Sequence, residues 1–145
     1  MQHVQTRSTT SALVLTAVLI ALATLFTMYT KIPVPGIRGY FNVGDVVIMT
    51  SALLLGRKYG AYIGAIGPAL ADLFLGYAVF VPITFVVKGI EGYLVGTVYN
   101  NKTTTTALVA TIVGGIIIVA GYFIAEYFVF DPGVAIASIV TNTIQ

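Results

Sequence analysis

The sequence predicts an all-α membrane protein, a bundle of six transmembrane helices with the sixth truncated, and three observations carry that reading. Hydrophobic residues make up 58% of the 145-residue chain and charged residues only 8%, against about 25% charged in soluble globular domains. The apolar residues are gathered into runs separated by glycine, proline and polar turns, the punctuation that helix ends require. Three ionisable residues, Asp72, Lys88 and Glu91, fall inside apolar segments of a single stretch, Gly56 to Gly96. A soluble core of this size could not hide so much apolar surface, so the bilayer is the solvent. By length the chain is one membrane domain over residues 1–145.

Met1 to Thr10 is polar, and Ser11 to Met28 is then an uncharged apolar run, long enough for a hydrocarbon layer of about 30 Å. A first helix is expected over 11–28. Ala21-Leu22-Ala23 after a basic start also fits a signal-peptidase site, but the several spans that follow favour an uncleaved helix. Tyr29 to Gly44 holds Pro33, Pro35, Gly36 and Gly39 and reads as a structured loop. A second helix is expected over 45–55, with Asp45 as its N-terminal cap, and is too short to cross the bilayer alone. Gly56 to Gly60 is a tight basic turn holding Arg57 and Lys58. Helices follow over 61–75 and 81–98, antiparallel neighbours because the Gly76 to Phe80 connection is short. Asn100, Asn101, Lys102 and four threonines make the next turn, a fifth helix runs over 107–128, and Asp131-Pro132-Gly133 turns the chain again. The last segment, 134–145, is incomplete: at helical rise its residues reach about 18 Å, so the chain is expected to stop short of its natural end.

Basic residues set the expected orientation. Arg7, Arg57, Lys58 and Lys102 fall on one side, and Lys31, Arg38 and Asp131 on the other. The excess of positive charge places the N-terminus in the cytoplasm of a multi-pass protein of the cell membrane. The net charge of +2 is too small and too scattered to indicate nucleic acid. The chain has no cysteine and one histidine, His3, which removes thiolate metal sites and Ser-His or Cys-His catalysis. No metal site, no cofactor and no enzymatic activity are expected. With no GxxxxGK[ST] phosphate loop, any ATP hydrolysis must occur on another chain.

A lone charge near the bilayer centre costs several kcal/mol, so Asp72, Lys88 and Glu91 must face protein or a watery cavity. Lys88 and Glu91 are three apart on one helix face, and Asp72 can bridge to Lys88 across the Gly76 to Phe80 turn. These residues therefore either line a ligand site or form a closed ion-pair network that locks two helices. Tyr29, Tyr40, Phe41, Tyr77, Phe80, Phe85, Tyr127 and Phe128 gather at the outer end, where most belong to an interfacial belt and two or three can stack on a flat ring. Tyr40 and Phe41, beside Arg38 and Asn42 in the loop, are the best placed. Small residues recur at four-residue spacing at Ala17/Ala21, Gly60/Gly64, Ala65/Ala69 and Gly92/Gly96. Such pairs let backbones approach within the chain, with Ala17/Ala21 the pair a partner subunit could use.

The runs Phe41-Asn42-Val43-Gly44-Asp45, ALLLGRKYGA, PALADL, VPITFVVKG and GYLVG, with the closing Asn142-Thr143-Ile144-Gln145, make the chain similar to the substrate-binding S components of energy-coupling factor (ECF) vitamin transporters, riboflavin type. The resemblance covers nearly the whole chain, and the order and spacing of the runs carry it. It implies a non-enzymatic six-helix protein that captures a small water-soluble vitamin or precursor (riboflavin, or one like hydroxymethylpyrimidine or pyridoxine) at its outer side. The implied partners are a transmembrane coupling subunit and two ATPase subunits. It implies a site drawn from the first loop, the outer helix ends and the sixth helix. Here those are Arg38, Tyr40, Phe41, Asn42, Asp45, Asp72, Tyr77, Lys88, Glu91 and Asn142, with docking through Ala17 and Ala21. Arg38 and Lys88 would also suit an acidic vitamin such as pantothenate or folate. The residues alone leave two other classes open: a gradient-driven transporter using Asp72, Lys88 and Glu91 as a proton relay, and a scaffold whose charges only hold helices.

Overall fold

The computed structural model describes residues 9–33 and 40–144, which form six helices: α1 (Thr9–Tyr29), α2 (Gly44–Leu55), α3 (Arg57–Phe74), α4 (Phe80–Val98), α5 (Thr104–Val129) and α6 (Pro132–Ile144). The all-α membrane bundle is therefore present. α1, α4 and α5 are long and apolar enough to cross a membrane by themselves, and α2 and α6 are shorter apolar helices. The first loop adds a feature that the sequence did not suggest. Strand β1 (Ile32–Pro33) pairs antiparallel with β2 (Tyr40–Phe41), Ile32 opposite Phe41 and Pro33 opposite Tyr40.

Local chemistry sets the helix ends. Gly56 alone makes the turn between α2 and α3, at φ 86° and ψ 178°, a region essentially closed to other residues. The basic residues after it are thus free to join α3, which starts at Arg57 instead of after Gly60. α3 ends where Gly76 takes φ 82° and the Tyr77 N–H donates to the Asp72 carbonyl at 2.8 Å. This glycine-terminated cap fixes Asp72 and Tyr77 relative to each other. Asp45 does not cap α2. It lies within the first turn, while Asn42 Oδ1 accepts from the Gly44 N–H at 2.8 Å. The threonine run becomes the start of α5, with Thr103 and Thr106 in a reciprocal capping box. Asp131 Oδ1 accepts from the N–H groups of Gly133 and Val134 and opens α6.

The helices pack in the row α1, α3, α4, α5, α6, and α2 lies across α1, α3 and α4. β2 touches α6, so the first loop reaches across to the far end of the row. A chain of rings, Tyr40 to Tyr77 to Phe80 to Phe130 with centroids 5.1–6.3 Å apart, ties the first loop, the α3–α4 turn and the end of α5 together. Arg57, stacked on the Tyr93 ring at 5.8 Å, marks the opposite end.

α3 and α4 make the closest approach, through the small residues flagged by spacing. A methyl group on Gly60 would lie 2.6 Å from the Gly92 carbonyl oxygen, one on Gly92 would meet the Gly60 backbone, and one on Gly64 the Lys88 backbone. α1 joins α3 where Thr24 Oγ1 donates to the Gly67 carbonyl at 2.9 Å. The Gly and Ala pairs of α3 and α4 thus work within the chain, whereas Ala17 and Ala21 are exposed on α1.

The obstruction at Gly92 is backbone and cannot rotate away, so Gly92→Ala should lower the thermal midpoint in detergent by several degrees, about 2 kcal/mol or more. Gly115, whose added methyl meets nothing within 4 Å, is the control. Gly115→Ala should be neutral or stabilising by up to about 1 kcal/mol. Equal losses in both variants would refute the close-packing account.

Candidate functional site

Beneath the ring chain, the helices enclose a partly open cavity lined mostly by polar side chains. Thr27 of α1 and Tyr40 and Asn42 of the first loop line one side. Pro68 and Asp72 of α3 and Phe80, Thr84 and Lys88 of α4 form the back. Tyr122 and Glu126 of α5 and Ser138, Thr141 and Asn142 of α6 complete the wall.

Asp72 is held by two neutral donors. The Tyr40 hydroxyl donates to Oδ1 at 2.6 Å and the Thr84 hydroxyl to Oδ2 at 2.5 Å, while Tyr122 is 3.0 Å from Thr84. The Thr84 proton is committed to Asp72, so Tyr122 is the donor in that last contact. Burial, with Asp72 alongside, pushes the Tyr40 phenol well above its ordinary pKa; it stays protonated and keeps donating. Lys31 stands 5.3 Å from the Tyr77 ring centroid and 6.0 Å from that of Tyr40, a cation over the aromatic pair.

Lys88 makes a different set of contacts from the one expected. Its Nζ donates to Asp45 Oδ1 at 2.5 Å and lies 3.7 Å from Glu91 Oε2. The expected pairing with Asp72 is thus replaced by one with Asp45, brought in from α2. Lys88 is 2% exposed and Glu91 fully buried. Its single charge faces two carboxylates, and its ammonium sits 5.6 Å from the Tyr122 ring.

Several polar groups are left without partners. Thr27 Oγ1 and Asn142 Nδ2 are buried and have no hydrogen-bond partner, although both residues line the cavity. Burying such an atom unpaired costs about 1–3 kcal/mol, a cost that a ligand placed there can remove. Glu126 is buried at the opposite wall and accepts a hydrogen bond from the Ser138 hydroxyl.

Of the residues singled out from sequence, Tyr40, Asn42, Asp72, Lys88 and Asn142 come together at the cavity. Asp45 and Glu91 stand behind Lys88, and Tyr77 stacks behind Tyr40. Arg38 and the Phe41 side chain lie outside the described residues. Among the other outer aromatics, Phe80 reaches the cavity, while Tyr29, Phe85, Tyr127 and Phe128 are exposed. Thr27, Thr84, Tyr122, Glu126, Ser138 and Thr141 were not anticipated. Glu126 carried a usable signal, an acid inside an apolar run; the hydroxyl residues carried none, since Ser and Thr are tolerated in such helices on any face.

Comparison with known proteins places the whole chain in a family. Residues 7–145 match the family model described as ECF-type riboflavin transporter, S component. A Pyrococcus woesei protein described as "Uncharacterized protein in gap 3'region" is 40% identical over 125 residues, covering 84% of this chain and 82% of its own. The thiamine precursor transporter HmpT of Lactococcus lactis subsp. cremoris (strain MG1363) is 32% identical over 132 residues, 90% of this chain and 73% of its own. The family model spans nearly the whole chain, and this chain belongs to the ECF-type riboflavin transporter S-component family.

Proposed function

We propose that this protein captures a small, flat, water-soluble vitamin or vitamin precursor in the cavity between Tyr40, Asp72, Glu126 and Asn142, with the aromatic end outside the cell and the N-terminus in the cytoplasm. It then delivers the ligand through a transmembrane coupling subunit driven by two ATPases. The observation that carries this reading is the pair of buried, unpartnered polar atoms, Thr27 Oγ1 and Asn142 Nδ2, at one cavity. A purely structural network would be expected to satisfy them. Family membership supports the transport role, and the name of the HmpT relative supports a vitamin precursor as cargo. The distribution of Arg57, Lys58 and Lys102, away from the aromatic end, supports the orientation.

The exposed face of α1 supports the docking role. Ala17 and Ala21 are exposed beside Leu13, Val14 and Val18, a small-residue seam on which another helix can lie closely. That seam is the proposed contact with the coupling subunit.

Mass spectrometry of the purified protein, followed by titration with a vitamin panel, tests the binding role. A bound vitamin at about one per chain is expected. Thr27→Val should abolish its retention, weakening binding about tenfold, while the empty protein becomes more heat-stable because an unpaired buried hydroxyl is gone. A protein that carries nothing and binds nothing in the panel would refute the binding reading. For docking, Ala17→Leu or Ala21→Leu should block co-purification with the coupling subunit and leave vitamin affinity unchanged. Normal co-purification would remove the seam from the interface.

A further inference from the structure

Exposed charge is divided unevenly between the two ends of the bundle. Four of the five acidic side chains, Asp45, Asp72, Glu91 and Glu126, are buried, and the fifth, Asp131, opens α6 at the aromatic end. Arg57 and Lys58, the first residues of α3, and Lys102, in the turn before α5, are exposed at the other end. Among the described residues, no carboxylate lies within ion-pair distance of any of the three. These cations therefore present positive charge that the described residues do not neutralise.

Packing gathers them on one rim. α3 begins against the last turn of α4, where a methyl group on Gly96 would lie 2.5 Å from the Arg57 amide nitrogen. Lys102 follows shortly after the end of α4 at Val98 and takes φ 51°, a left-handed conformation better suited to Gly or Asn. Apolar and aromatic side chains lie just inside this rim. The Arg57 guanidinium is 5.8 Å from the ring of Tyr93, which is itself exposed. Tyr62 is exposed one turn along α3 from Lys58, and Leu54 is exposed in the last turn of α2. Cations at the water side of tyrosine and aliphatic side chains are the arrangement of a membrane boundary. None of the three cations lines the polar cavity.

We propose that Arg57, Lys58 and Lys102 form a docking surface for acidic phospholipid headgroups of the adjoining leaflet, with the acyl chains lying on Leu54, Tyr62 and Tyr93. Charge complementarity and the apolar skirt together select this occupant. An acidic protein could meet the cations but would leave the exposed Tyr62 and Leu54 to be covered by something else, whereas one lipid supplies both an anion and an apolar chain. Each cation close to an anionic surface strengthens the attraction about fivefold. The effect falls off within about 8 Å at physiological ionic strength, so only the leaflet at this end is engaged. Contacts of this kind on the α2–α3 and α4–α5 connections fix the depth and tilt of the bundle. The surface lies apart from the vitamin site, and its test does not depend on which ligand that site holds.

Native mass spectrometry of the detergent-solubilised full chain, titrated with phosphatidylglycerol or with phosphatidylcholine of the same acyl chains, tests the proposal. The first phosphatidylglycerol should bind at least about fivefold more tightly than the first phosphatidylcholine, and raising the ammonium acetate concentration about tenfold should narrow that gap. Arg57→Gln, Lys58→Gln and Lys102→Asn together should bring the two lipids to within about twofold of each other. Lys102→Asn alone should lower the preference without loss of thermal stability, because Asn accepts the left-handed conformation. Arg57→Lys keeps the charge while giving up the flat stacking on Tyr93, and should retain the preference. Equal binding of both lipids by the native chain would overturn the proposal and leave the rim to an acidic protein surface. A preference left intact in the triple variant would overturn it too, as would one left intact in folded Lys58→Gln and Lys102→Asn should the triple variant not fold.

Discussion

The ion-paired Lys88 is the interaction on which the rest of this structure depends. An ammonium in the middle of an apolar bundle is tolerable only when its charge is met at once. It is met from two directions, by Glu91 one turn along α4 and by Asp45 from α2. α2 is too short to span a bilayer by itself, and this contact supplies the polar anchor that seats it against α4. With α2 fixed, Asn42 and the β hairpin just before it are held above the cavity, and β2 can reach α6.

Close packing of α3 and α4 makes that arrangement possible. Gly60, Gly64 and Gly92 bring two backbones together, so Asp72 and Thr84 meet across the pair and form the back of the cavity. The glycine cap at the end of α3 then places Tyr77 under Tyr40. Backbone contact, an aromatic stack and one hydroxyl-to-carboxylate bond thus converge on Asp72. On our reading, Asp72 shapes the site by orienting Tyr40 and Thr84, and the groups left free to read a ligand are Thr27, Glu126 and Asn142.

Much of the fold was legible because bilayer physics is simple. Apolar run length and the positions of Gly and Pro located the helices, and the misjudged starts, at Arg57 and Thr104, occurred where polar residues were read as turn although a single glycine or a threonine cap was sufficient. The candidate site was legible in part. Asp72 and Lys88 stood out as charges in apolar runs, but their partners did not, because Asp45 and Lys88 are 43 residues apart and nothing local links them. Glu126 satisfied the same criterion and shows that the rule applies equally to α5. Alanine spacing was identical in α1 and α3, and only the packing separates the exposed Ala17 and Ala21 from the buried Ala65 and Ala69.

The central claim is that Asp45, Lys88 and Glu91 form a structural clamp and that the ligand is read by other groups. Removing all three charges together, as Asp45→Asn, Lys88→Met and Glu91→Gln, leaves no uncompensated ion within the clamp, whereas Lys88→Met alone strands its two buried carboxylates at a cost of about 3–5 kcal/mol. The decisive measurement is vitamin affinity of the triple variant beside its thermal stability. The account predicts that Lys88→Met fails to fold, while the triple variant folds and binds within about tenfold of the native protein. A well-folded triple variant with no detectable vitamin binding would contradict it and make Lys88 a direct ligand contact.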